Sequence, residues 1–365
     1  MEALPGILLV ALATSLGWGL RGEWGHWWGA TVPGAFCGMS LWLAFGAGEG
    51  MWQMISFGAV MAVSLSLGGT LSYGKIVGYV KSEHDRSPMF GVLALFLVGG
   101  LWGYFGGTAL GLLATGHDYT LADMALWAVS ASIGAFGAYK ILVVGLDLHL
   151  SPPRSDAWAA VLGGAFATAL FFILYARDWT VIRFAVFGWI GFGGGFSLGS
   201  LIHRACQGKG LRVDSWKFME HSVGFWGGLS LAIAAFLHDG LDVIPIDHVL
   251  RLTSALVVLW LVPYLNISDN FRYWYSERAW ISRHTYAIFQ LSALLSLPLL
   301  VYLMNDLIPA SADSGGIGIF VALLGFLTLM AIAKFRFDLS RVRLQVDALF
   351  LSEAAACALI LALFH

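Results

Sequence analysis

The chain has 365 residues, 59% hydrophobic and only 12% charged, with a mean hydropathy of +0.78. A soluble domain carries about 25% charged residues, so this composition excludes one and reads as an integral membrane protein. The formal net charge of −2 offers nothing to a nucleic acid, and Cys37, Cys206 and Cys357 are too far apart for a CxxC pair or a disulfide framework.

Apolar runs of about 18–25 residues predict roughly twelve membrane spans. In chain order they lie near Leu4–Leu20, Trp27–Ala47, Met51–Tyr73, Met89–Ala114, Leu121–Val144, Ala157–Tyr175, Val181–His203, Phe218–Leu237, Val249–Leu265, Tyr286–Met304, Ile317–Ala333 and Asp347–Phe364. The fold class expected is all-α, a polytopic bundle forming a single transmembrane domain over 1–365. The opening Met-Glu-Ala-Leu-Pro lacks the basic stretch of a cleaved signal, so the first run is read as a retained span.

Assigning each Lys and Arg to its nearer connection puts 17 of the 20 after odd-numbered spans. Only Arg177, Arg183 and Arg251 fall on the other side, where Glu49, Asp118, Asp239, Asp242, Asp306 and Asp313 stand without basic partners. The positive-inside rule then turns the basic side to the cytoplasm and both termini outward, as expected for a plasma (inner) membrane protein. The longest inward connections are Lys75–Pro88, Gln207–Lys217 and Asn266–His284. The last mixes aromatics with Arg and Glu and is expected to lie in the headgroup plane.

The first eight spans, within 1–240, read as parallel helix-pair repeats, leaving 241–365 as a four-helix C-terminal segment. LGGTLSYGKIV (67–77) aligns with FGGGFSLGSLI (192–202), and FGGTALGLLATGHD (105–118) with WGGLSLAIAAFLHD (226–239), both without gaps. Each odd helix of the repeat carries a cation after its glycines, namely Arg21, Lys75, Lys140 and Arg204. Arranged about one axis normal to the membrane, these would line an inward-facing pocket.

Two charged clusters stand out against the apolar background. GWGLRGEWGHWWG (17–29) places Arg21, Glu23 and His26 between two spans, and WKFMEHSVGFWGG (216–228) places Lys217, Glu220 and His221 at the start of the eighth. On a helix Lys217 shares a face with Glu220 and His221, three and four residues on. A cation, a carboxylate and an imidazole together can bind an anion or pass a proton. His203 and Arg204 end the seventh span at the same side, and Glu353 is a carboxylate inside the last one, where charge is costly and marks function or a buried pair. His26, His203, His221 and Glu220 lack any short metal-binding spacing, and no Walker A, GxSxG or dinucleotide glycine motif occurs; no cofactor is indicated.

The expected function is a transporter or permeation path for a small anionic or proton-coupled solute, with a cytoplasm-facing polar pocket. There are two alternatives: an integral-membrane enzyme acting on an anionic lipid or lipid-linked head group at the cytoplasmic leaflet, with His26, His221, Glu23 and Glu220 as acid and base, and a non-catalytic membrane subunit of a larger complex. The bilayer is the one partner the composition requires.

Overall fold

The computed structural model is all-helical, with no strand, among the residues it describes, which are 1–25, 28–48, 50–152, 156–209, 212–303 and 315–365. His26 of the first cluster lies outside them, as do Trp27, Glu49, Arg154, Asp306 and Asp313.

The helices are α1 (Ala3–Trp24), α2 (Thr31–Phe45), α3 (Met51–Leu67), the short α4 (Gly74–Val80), α5 (Pro88–Ala114), α6 (Leu121–Ala138), α7 (Ala157–Leu170), α8 (Trp179–Gly208) and α9 (Ser215–Phe236). They are followed by α10 (His248–Ala255), α11 (Val262–Arg272), α12 (Arg283–Tyr302), α13 (Gly316–Lys334) and α14 (Arg341–Phe364). Wider π-helical turns extend α6 to Gly145 and α7 to Tyr175, and join α10 to α11 in one rod reaching Glu277.

Helix starts follow local chemistry. Ser87, Thr120, Asp178, Asp214, Asp247, Ser282 and Ser340 each accept a backbone N–H in the first turn of α5, α6, α8, α9, α10, α12 and α14. At the other terminus, α1 stops at Gly25, whose φ of +89° is left-handed and free of strain only for glycine.

Ten of the described helices are long and apolar enough to cross a membrane, and this is a multi-pass membrane protein. α2 is apolar but only 15 residues long, and α9 carries Lys217 and Glu220 in its first two turns. The end of α1 meets the starts of α9 and α14 and the end of α13, while in separate polar groups Asp178 gathers Thr115 and Tyr119 and Gln53 bonds the Ile244 backbone. Around α1 pack α2, α9 and α14, and α5 lies along α8, its Gly103 and Gly107 set against the backbone at Gly188 and Phe184. Side chains as small as hydrogen let helices approach this closely in lipid. The α6–α7 hairpin is held the same way at Gly134 and Gly163. Neither α6 nor α12 buries a residue, so both present apolar side chains to lipid. Between α6 and α7, the Asp156 and Asp147 carboxylates accept from the two His149 ring nitrogens and hold the imidazole above its ordinary pKa.

Three sequence expectations change here. The segment 67–77 breaks at Gly68 into a tight turn before α4, whereas its proposed match 192–202 lies within the unbroken α8; the two stretches therefore have different local structures. The connection expected after Leu265 is helical in its first part, to Glu277, where Asn266 and Asn270 are fully buried and find partners in Thr31, Trp24 and the Met330 carbonyl. Finally, α8 runs on to Gly208 and α9 begins at Ser215, so Lys217 belongs to a packed helix rather than to a loop.

Candidate functional site: a buried charge network at one end of the bundle

The site is organised by glycines on α1 and α9. Thr14 and Ser15 lie flat against Gly224, and a methyl group at Gly228 would meet the Thr14 side chain. A methyl on Gly19 would fall on the His221 ring, and one on Gly22 on the Glu220 carboxylate and the Lys217 ammonium. The GxxG spacing in GLRG thus clears one face of α1 for the charged turn of α9.

Lys217, buried, reaches the facing carboxylates of both sequence clusters: Glu220 Oε2 at 2.9 Å and Glu23 Oε1 at 3.0 Å. It also donates to the Gly19 carbonyl at 3.2 Å. Glu220 accepts in addition from Trp216 Nε1 at 3.1 Å and lies 3.5 Å from Arg21. Arg21, only 2% exposed, donates to the Tyr73 hydroxyl at 2.7 Å and sits among the Trp18, Tyr73 and Trp102 rings, 5.5–5.6 Å from each centre. The weak hydration of a guanidinium suits this aromatic box.

Glu23 passes the network on to α14. Its other oxygen accepts from Arg343 at 3.1 Å, and Arg343 continues to Asp347 at 2.7 Å. Lys334 at the end of α13 donates to the Glu23 backbone carbonyl and pairs with Asp269 at 2.6 Å. Trp24 donates to Asn270 at 2.8 Å, tying the same end of α1 to α11.

One turn deeper, Glu353 of α14 lies 2.8 Å from His221 Nδ1, and its second oxygen accepts from Ser15 at 2.8 Å. Ser15 Oγ is 3.3 Å from the same imidazole nitrogen, so serine, histidine and carboxylate form a closed triangle joining α1, α9 and α14. The Phe350 ring covers the imidazole, with centres 5.6 Å apart.

The charges balance. Arg21, Lys217 and Arg343 face Glu23, Glu220 and Asp347, three cations against three carboxylates. Buried ions keep their charge only when paired in this way, and among the described residues the balance leaves no surplus cation here to attract an anion. A compensated network is suited to holding helix ends together and to passing a proton, which the Ser15–His221–Glu353 triangle has the groups to accept.

Of the expected site residues, Arg21, Glu23, Lys217, Glu220, His221 and Glu353 come together. His203 sits one side chain away, edge-on to the Trp216 ring and bonded to Ser215 Oγ at 2.8 Å. Lys75, Lys140 and Arg204 do not join Arg21 in a common pocket: Lys75 donates to the Pro152 carbonyl, Lys140 lies over Phe136, and Arg204 is exposed. Lys75, at the start of α4, is half-buried against that carbonyl, and Lys140 and Arg204 are exposed and free to reach solvent or headgroups. Arg343, Asp347, Ser15, Tyr73, Trp216, Lys334 and Asp269 were not expected; the i,i+4 spacing of Arg343 and Asp347 was the available signal. Among the described residues, no group of three or more His, Cys, Asp or Glu side chains is placed to hold a metal ion. In comparisons with known proteins, the chain matches no family model, no curated protein and no solved structure.

Proposed function

We propose that this multi-pass membrane protein is a proton-coupled transporter of a small solute, with the proton carried by His221 and Glu353. The observation that carries the reading is the 2.8 Å contact between them, about two turns into α9 and near the middle of α14, with the Ser15 hydroxyl on the carboxylate's other oxygen. The Ser15 hydroxyl, bonded to the carboxylate and 3.3 Å from the imidazole, offers a path for a proton between the two, and an ionisable pair placed within spanning helices is a functional position by default. The compensated network just beyond it, from Lys217 to Arg343, would act as the closed gate on that side. Opening requires these helix ends to part, and taking a proton on Glu353 or Glu220 would weaken the attraction between them.

In this reading α2 and α9 also cross, giving twelve spans. The uneven distribution of Lys and Arg supports a cytoplasmic position for the network and outward termini. The balance of buried charge favours the proton over an anion as the species bound at the network. Reconstituted protein should dissipate an imposed pH gradient across liposomes, read by an enclosed pH dye, and Glu353→Gln should reduce that flux at least about tenfold, a barrier higher by about 1.4 kcal/mol, with the fold retained. Unchanged flux in both Glu353→Gln and His221→Gln would dismiss the reading.

A further inference from the structure

A cavity of about 410 Å³ opens where α3 and α10 begin, lined by Trp52 and Gln53 of α3 and by Asp247, His248 and Arg251 at the start of α10. Its size falls within the range of small-molecule sites. Both helices open apolar rods long enough to cross a membrane, so the cavity stands at the level of a membrane surface. Its wall is fixed. Gln53 Nε2 donates to the Ile244 carbonyl at 2.7 Å, and Gln53 Oε1 accepts from the Ile244 N–H at 3.2 Å.

Arg251 is one of three cations on its side of the charge distribution, against 17 on the other, a position that orientation alone does not call for. Its guanidinium is half-buried and held twice: 5.4 Å from the centre of the Trp52 ring, and by donating to His248 Nδ1 at 3.2 Å. Among the described residues no carboxylate pairs with it. A guanidinium can only donate, so His248 Nδ1 accepts and the imidazole proton sits on Nε2. The cavity is thus bordered by a positioned cation with several N–H donors and by a neighbouring imidazole N–H.

Asp247 lines the same cavity one turn away. Four residues before an arginine, an aspartate would ordinarily pair with it along the helix. No such pair forms here, because Asp247 Oδ1 turns to cap α10 and accepts from the Leu250 N–H at 2.7 Å. A carboxylate and a guanidinium therefore border one cavity without neutralising each other.

Opposite charges held apart in this way complement a ligand that carries both, an anionic oxygen group and an ammonium a few ångströms from it. The bilayer supplies such a ligand at this level, a phospholipid headgroup with a phosphate next to a primary ammonium. Guanidinium N–H groups match phosphate oxygens in geometry as well as in charge. The surroundings fit a lipid rather than a soluble solute, since Val243 and Val249 are exposed beside the charged groups and offer the start of the acyl chains an apolar border.

We propose that this cavity binds the phosphoethanolamine headgroup of a membrane phospholipid, with Arg251 and His248 donating to the phosphate and Asp247 accepting from the ammonium. The proposal is independent of the transport reading. It is tested by native mass spectrometry of the whole detergent-purified protein, with phosphatidylethanolamine, phosphatidylcholine and phosphatidylglycerol of matched acyl chains added in turn. The ethanolamine lipid is expected to be retained several-fold more than the other two, because the choline ammonium has no N–H to donate and the glycerol headgroup has no cation. Arg251→Gln should remove that excess retention. Asp247→Asn should erase the preference for ethanolamine over choline, and both variants should still elute as a single folded species, since the two side chains are not part of the core. Glycerophosphoethanolamine, the same headgroup without acyl chains, should displace the lipid only at much higher concentration. Equal retention of the three lipids, or a preference that survives in both variants, overturns the site; displacement by glycerophosphoethanolamine at matched concentration overturns the lipid as its occupant in favour of a soluble zwitterion.

Discussion

Lys217→Met is expected to destabilise the protein by about 3–5 kcal/mol, the usual consequence of removing one partner from a buried ion pair. Methionine fills the space of the lysine stem, so packing on Gly19 and Gly22 is kept and what is lost is the ammonium. Glu23 and Glu220 would then face each other with only Arg343 and Arg21 to hold them. A denaturant titration of the detergent-solubilised protein reads the loss, and the double variant Lys217→Met/Glu220→Gln should recover part of it by removing the uncompensated charge. A single-variant loss below about 1 kcal/mol is the value for an exposed pair, and would mean that water reaches the network.

Gly22→Ala should also destabilise, against the usual direction. Alanine is the better helix former by about 1 kcal/mol, yet here its methyl would fall on the Glu220 carboxylate and the Lys217 ammonium. Parting α1 from α9 to make room should cost about 1–3 kcal/mol, as overpacking does in a filled core. Gly137 on α6 provides the contrast, since a methyl there meets nothing and Gly137→Ala should stabilise by roughly 0.5–1 kcal/mol. The opposite signs, read in one thermal-unfolding series, separate a glycine kept for contact from one that is not. Stabilisation by both would show that the α1–α9 contact is looser than the distances imply.

Much of this was legible in the sequence, for physical reasons that also explain what was not. A low charge fraction and long apolar runs are enough to require spanning helices. The two clusters could be paired because each sets a carboxylate and a cation in a glycine- and tryptophan-rich setting where lone charges are costly. Depth and facing are different matters. Lys75, Lys140 and Arg204 follow glycines just as Arg21 does, and nothing in their neighbours distinguishes a side chain turned inward from one turned to headgroups. Arg343 was counted among orienting charges and Asp347 taken as the start of the last span, although their spacing is that of a helix ion pair. Asn266, Asp269 and Asn270 were read as part of a polar connection, because a polar run after an apolar one looks like the end of a span. Their partners lie 60 or more residues away on α1, α2 and α13, a distance that composition and periodicity do not bridge.

If His221 and Glu353 hold an exchangeable proton inside the bundle, infrared difference spectroscopy of the reconstituted protein across a pH step will reveal it. Expected is a protonated-carboxyl band that appears or disappears with the step, vanishes in Glu353→Gln, and is displaced in His221→Gln and Ser15→Ala while Asp347→Asn leaves it in place. A carboxyl signal that survives in Glu353→Gln, or no carboxyl signal at all, would contradict it.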